Sequence, residues 1–236
     1  SNPLSQAGHL YINGNEIKKL IIPENVTSIG KFSFYGCKDL TSVTIPFNVK
    51  TIGNGSFCYC DSIKLLNLSS GVTSIGSSAF GHCEGISSLT IPSSVTTIES
   101  GAFSYCKNIT EVIVEDGEES LVCNTSFSES PVKYVYLGRN IEYNTSPFYN
   151  ILTMLNVTIG SKVSKLPSGL FNGCSNIKSI IIPSSVISIG NNAFPSVTKV
   201  FFFTNTAPSI ESNSFENCKV YYTANDNSYN NMPILS

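Results

Sequence analysis

Tryptophan is missing from this 236-residue chain, arginine occurs once (Arg139), and histidine and methionine occur twice each. Charged residues make up only 13% of the sequence, about half the usual share. The formal net charge is -2, from 13 lysines and one arginine against 16 acids. So thin a basic complement excludes a nucleic-acid binder, which replaces counterions with a dense Lys/Arg stripe. It also supplies no basic amphipathic helix for a membrane surface. No apolar run approaches the roughly 18 to 20 residues that cross a bilayer, so no membrane insertion is expected. No positively charged segment followed by an apolar stretch opens the sequence, and Ser1 suits a processed or cloned end.

Catalytic signatures are scarce as well. There is no Gly-x-Gly-x-x-Gly fingerprint, no phosphate loop and no Gly-x-Ser-x-Gly elbow. His9 and His82 stand apart from any acid at triad or metal spacing in the sequence and read as ordinary surface residues. The acids Glu115, Asp116, Glu118 and Glu119 lack the alternating ligands of a calcium loop and read as a solvated bulge on the convex side. No enzyme, no cofactor and no metal site are expected.

What the chain has is a period. Phe34, Phe57, Phe80 and Phe103 follow one another at intervals of 23 residues. Ile29, Ile52, Ile75 and Ile98 keep the same register, as do Cys37, Cys60, Cys83 and Cys106. Phe127, Phe148, Phe171, Phe194 and Phe215 continue the column at 21 to 24 residues, so nine phenylalanines mark nine turns. Apolar columns at such a spacing denote a solenoid in which each turn contacts only its neighbours.

Ten apolar pairs, from Leu20/Ile22 through Val135/Leu137 to Val220/Tyr222, each straddle one residue and read as very short strands. Equal spacing with coil between them makes neighbouring strands parallel. A Ser/Asn/Lys-x-x-Phe segment is expected to form one helical turn whose Phe points inward. The glycine of Ile-Gly allows a tight or positive-φ corner. Six of the eight cysteines share the repeat column, which predicts buried free thiols; Cys58 and Cys123 lie outside it and are the better candidates for exposed, reactive groups.

The unit Ile-Pro-x-x-Val-Thr-x-Ile-Gly-x-x-Ala-Phe-x-x-Cys-x-x-Leu-x-x-Val, best seen from Ile91 to Val112 and from Ile182 to Phe194, resembles the BspA-like class of leucine-rich repeats. The resemblance spans about residues 20–222 and implies an α/β solenoid: a leucine-rich-repeat right-handed superhelix. It would have one short parallel strand per 20–24-residue turn and a convex side of coil and short helical turns. A single domain is expected over 1–236, with a lead-in at 1–19, repeats at 20–222 and a tail at 223–236. The lead-in fragment Leu10-Tyr11-Ile12 would add an edge strand or a cap, and Met232 to Leu235 would seal the far end. Members of the family are typically secreted or displayed on the cell surface of human-associated bacteria and look like adhesion or host-interaction proteins. The resemblance therefore implies a secreted or cell-surface binding module and carries no catalytic residues.

Alternation along each strand sends every second residue to the outer, strand-lined face. On the early turns these are mostly small and polar. Later ones include Ile113, Tyr134, Tyr136, Ile181, Phe201 and Tyr221, which form the candidate binding surface because exposed apolar and tyrosine side chains favour contact sites. The partner class is an extracellular or host protein, or a glycan. A plain structural spacer with no ligand is the alternative, since aromatic and β-branched residues suit strands in any case. Seven Asn-x-Ser/Thr sequons occur, two of them (Asn67 and Asn156) on the same face.

Overall fold

The computed structural model describes residues 9–203, 206–215 and 218–222. An antiparallel hairpin comes first, β1 (Tyr11–Ile12) and β2 (Asn15–Glu16), turning through Asn13 and Gly14, both at positive φ. It adds a cap, with Leu10 buried behind it, and is not an edge strand of the ladder that follows. From there the chain is a β-solenoid of parallel strands stacked in turns.

Two strands, not one, recur in each turn. The longer set forms the outer face: β3 (Lys19–Ile21), β5 (Ser42–Ile45), β7 (Leu65–Leu68), β9 (Ser88–Ile91), β11 (Glu111–Val114), β13 (Tyr134–Leu137), β15 (Asn156–Ile159), β17 (Ser179–Pro183), β19 (Lys199–Phe203) and β21 (Lys219–Tyr222). Between them run β4 (Ser28–Ile29), β6 (Thr51–Ile52), β8 (Ser74–Ile75), β10 (Thr97–Ile98), β12 (Leu121–Cys123), β14 (Ile141–Glu142), β16 (Lys165–Leu166), β18 (Ser188–Ile189) and β20 (Ser209–Ile210). The Ile of Ile-Gly is thus a core residue of this second ladder. The glycine after it is required by close approach and not by φ: a Cβ on Gly53 would lie 2.8 Å from backbone atoms of Ile29, Gly30 and Lys31.

No helix occurs among the described residues, which corrects the expectation of an α/β fold with helical turns on the convex side. The backbone explains why. Most segments carrying a column phenylalanine are bracketed by residues in the left-handed region, for example Gly55 (φ 59°) and Tyr59 (φ 62°) around Phe57, and Ser78 (φ 52°) and His82 (φ 59°) around Phe80. The segments of Phe148 and Phe194 hold one such residue each, Asn150 and Asn192. A right-handed helix cannot pass through them. Their amides are also committed elsewhere. Gly55, Phe57 and Tyr59 donate N–H to the carbonyls of Ser77, Ala79 and Gly81 in the next turn at 2.8–2.9 Å, while Ser56 and Cys58 close three-residue turns on Gly53 and Gly55. Each turn is therefore held to the next by hydrogen bonds along a third line as well.

The interior is the predicted one. Phe57 through Phe215 in the column are at most 1% exposed, and successive rings stack at centroid separations of 5.0–5.8 Å. Column thiols do more than fill space. Cys60, Cys83, Cys106 and Cys174 each point Sγ at the carbonyl of the column phenylalanine in the preceding turn, namely Phe34, Phe57, Phe80 and Phe148, at 3.0–3.2 Å. At the fifth turn, Ser130 stands in for cysteine and donates its hydroxyl to Phe103 O at 2.8 Å.

Both ladders part near the seventh turn. The face ladder divides into β3–β5–β7, β9–β11–β13–β15 and β17–β19–β21, and the second ladder into β4 through β14 and β16–β18–β20. At this junction, an open polar cleft of about 600 Å³ lies over Asn140, Glu142, Ser164 and Lys165.

Candidate functional site

The outer face is built by simple alternation. In β13, Val135 and Leu137 enter the core, so Tyr134 and Tyr136 face out. Register then sets their neighbours. Tyr134 lies between Glu111 and Asn156, and Tyr136 between Ile113 and Thr158. Tyr134 is 49% exposed, whereas Ile113 and Tyr136 are half-buried. The Tyr136 hydroxyl donates to Asp116 Oδ1 at 2.7 Å, and that bond raises its pKa above the usual phenol value. Gly160 makes room for it, since a Cβ there would sit 2.7 Å from the same hydroxyl oxygen.

The remaining three predicted residues form a separate group. Ile181, Phe201 and Tyr221 are in register across β17, β19 and β21. The Phe201 and Tyr221 rings stack at 4.8 Å and 14°. Ile181 is 56% and Tyr221 43% exposed, with Phe201 half-buried between them. Strand β15, which shows Asn156 and Thr158, and the break before β17 separate the two groups. The six residues therefore make two apolar patches and not one continuous surface. The suggested covering of Phe201–Phe203 by the C-terminal tail concerns residues outside the described ones, as does sealing by Met232 to Leu235.

Several exposed apolar residues lie outside the six, Ile21 and Leu65 among those that alternation already turns outward. Ile21, at 73%, is more exposed than any of the six. Leu65 is exposed on β7, and Tyr149, Leu152 and Leu155 are exposed in the irregular seventh turn. The last three carry no alternation signal because they precede β15. On the side opposite the face, Tyr35, Tyr59, His82 and Tyr105 form an aromatic stack with centroids 5.5, 4.3 and 4.6 Å apart. An aromatic two residues after Phe57, Phe80 and Phe103 was its signal. Tyr59, His82 and Tyr105 meet ring face to ring face, whereas Tyr35 meets Tyr59 edge-on.

Two expectations about reactive groups need correction. Cys58 and Cys123 are buried, not exposed. Desolvation pushes their thiols up to about 11 and about 12, so neither is a nucleophile at neutral pH. All eight cysteines are free. The acids at 115–119 lie in the corner between β11 and β12, where Glu115 accepts the Ser93 amide at 3.0 Å and Glu118 pairs with Lys162 at 2.6 Å. His9 is not isolated: the hairpin and the first turn bring Glu16 and Asp39 against it.

The comparisons agree with this architecture. A sequence profile described as "BspA type Leucine rich repeat region (6 copies)" matches residues 9–133 and 122–232. A crystal structure of a leucine-rich repeat protein from Bacteroides ovatus is 28% identical with a TM-score of 0.59, covering 90% of this chain and 58% of its own. The chain thus spans little more than half the length of that relative. The leucine-rich repeat protein of T. pallidum is 21% identical with a TM-score of 0.49, covering 76% of each chain. A leucine rich cell surface protein from Faecalibacterium prausnitzii is 20% identical with a TM-score of 0.38, covering 92% of this chain and 76% of its own. No curated protein matches.

Proposed function

This chain belongs to the BspA-type leucine-rich repeat family, and from that premise we propose that it is a secreted or cell-surface recognition module, non-enzymatic, that grips an extracellular protein with its strand-lined face. The observation that carries this reading is the pair of exposed apolar groups held in register on a hydrogen-bonded sheet, centred on Tyr134 and on Ile181 with Tyr221. Side chains fixed by a ladder lose little freedom on binding, and tyrosine offers a large amphipathic surface at low entropic cost. Two patches separated by the polar Asn156 and Thr158 suit a protein partner that contacts both better than a small ligand seated in one pocket. Adhesion to a host surface is one use of such a module.

The structural-spacer reading has its own support, because Tyr136 is tied to Asp116 and Phe201 is stacked on Tyr221 within the chain itself. Screening the purified chain against arrays of matrix proteins and glycans separates the two. A recognition module captures a defined ligand, and Tyr134→Ser with Tyr136→Ser, or Ile181→Ser alone, weakens capture by about tenfold or more with the fold intact. Capture of nothing, or capture that ignores both changes, makes the face a spacer.

A further inference from the structure

The N-terminal cap is poorly anchored by packing. All four residues of β1 and β2 are exposed, and a two-stranded hairpin has little stability of its own. Among the described residues of the cap, Leu10 is the only buried apolar one, and the Ile17 amide donating to Leu10 O at 2.7 Å closes the hairpin. Yet this cap meets the first repeat turn at an unusual cluster. His9 Nδ1 lies 2.9 Å from Glu16 Oε1 across the hairpin and also directly against Asp39 Oδ2, which the turn after Cys37 supplies. Asp39 Oδ2 is shut off from solvent and accepts no well-directed hydrogen bond. One imidazole nitrogen carries at most one proton, which two converging carboxylates must share. The second carboxylate is left with a like-charged neighbour. Lys18 relieves this only weakly, from 3.9 Å on the far oxygen of Glu16.

We infer that His9, Glu16 and Asp39 bind one divalent transition-metal ion of the zinc type, which clips the cap to the first turn of the solenoid. Their ligand atoms all lie within 4.8 Å of one another. Metal–ligand distances of about 2.0–2.2 Å require only small rotations of exposed side chains to close that set. One imidazole with two carboxylates suits zinc and its neighbours, whereas calcium and magnesium take oxygen ligands alone. Three protein ligands leave a coordination position for water, in keeping with the half-exposed His9. Binding joins residue 9 to residue 39 across the cap–solenoid boundary, so the free energy of metal binding becomes stability of the cap. The role of the site is structural and separate from the strand-lined face.

Calorimetric titration of the chelator-treated full chain with zinc chloride at near-neutral pH tests this. The expected result is saturable uptake of one ion per chain. His9→Gln and Asp39→Asn should each weaken it by about tenfold or more, with His82→Gln unchanged. Hydrogen exchange gives an independent readout: the Ile17 amide should slow on zinc addition in the native chain and not in His9→Gln. Both variants change exposed or partly exposed side chains, and equal melting temperatures without zinc verify that they fold. Absence of saturable uptake, uptake indifferent to His9→Gln, or calcium binding as tightly as zinc overturns the site and leaves His9 an ordinary ion-pair partner.

Discussion

The first four turns and the three that follow are held together by different means. From β3 to β10, one set of contacts repeats at 23-residue intervals. Thr73 and Thr96 donate their hydroxyls to the carbonyls of Lys50 and Thr73, and the cysteine column bonds the phenylalanine carbonyls. From Glu115 to Val163 the repeat text lapses, and individual side chains replace it. Arg139, almost fully buried, reaches back two turns to the carbonyls of Pro92 and Ser93 at 2.8 and 2.6 Å. Burial lowers its pKa while nearby Glu115 raises it, and its Nε has no partner. The Asn124 carboxamide accepts the Asn144 amide, and that of Asn140 accepts those of Ser164 and Lys165. A solenoid turn can thus be specified by a shared pattern or by unique polar contacts. Both ladders part near the end of the stretch that uses the second, with the face ladder also divided between β7 and β9 in the regular half.

The strongest way to break this comparison is in the regular half. Phe80→Ala empties a fully buried site between two stacked rings and should cost about 3–5 kcal/mol in urea unfolding. Because neighbours alone feel the loss, hydrogen exchange should rise around turns two to four before it rises at the C-terminal end. Uniform loss of protection would show that the turns do not uncouple. In the irregular half, Arg139→Ala should cost about 2–4 kcal/mol by abandoning two carbonyls and leaving a void. Arg139→Met, which restores volume without donors, should recover part of this. Full recovery by Arg139→Met would mean that packing alone explains the arginine, and equal costs for the two variants that its hydrogen bonds do. The smallest effect sharpens the equivalence of thiol and hydroxyl in the column. Cys83→Ser should stay within about 1 kcal/mol, whereas Ser130→Ala should cost about 1–3 kcal/mol by stranding Phe103 O and the Cys106 amide. A reversed order would mean that the column selects for volume and not for a donor.

Much of the architecture was legible before any coordinates. The columns of Phe, Ile and Cys announced an interior, and the ten apolar pairs announced parallel strands, because each signal recurs in many turns and errors average out. The candidate face was legible residue by residue, since alternation decides which side chain turns out. Its division into two patches was not. That depends on where the ladder breaks, and the lapse of the repeat before Asn156 shows irregularity there without showing which strands cease to pair. Cys58 misled for a related reason: it falls outside the repeat column, yet the fold of the turn buries it against its neighbours. The hairpin residues His9 and Glu16 are seven apart in the chain and Asp39 thirty from His9, so nothing in their spacing suggested that they meet.

Sequence alone determined the period, the composition of the core and which residues each strand presents, for these follow from local chemistry written many times over. Tertiary structure decided the rest: left-handed residues beside the column phenylalanines that exclude helix, a second ladder through Ile-Gly, the reach of Arg139 and the meeting of His9 with two carboxylates. Each of these depends on how one turn is set against the next. A contact made once, between residues distant in the chain, leaves no periodic trace to read.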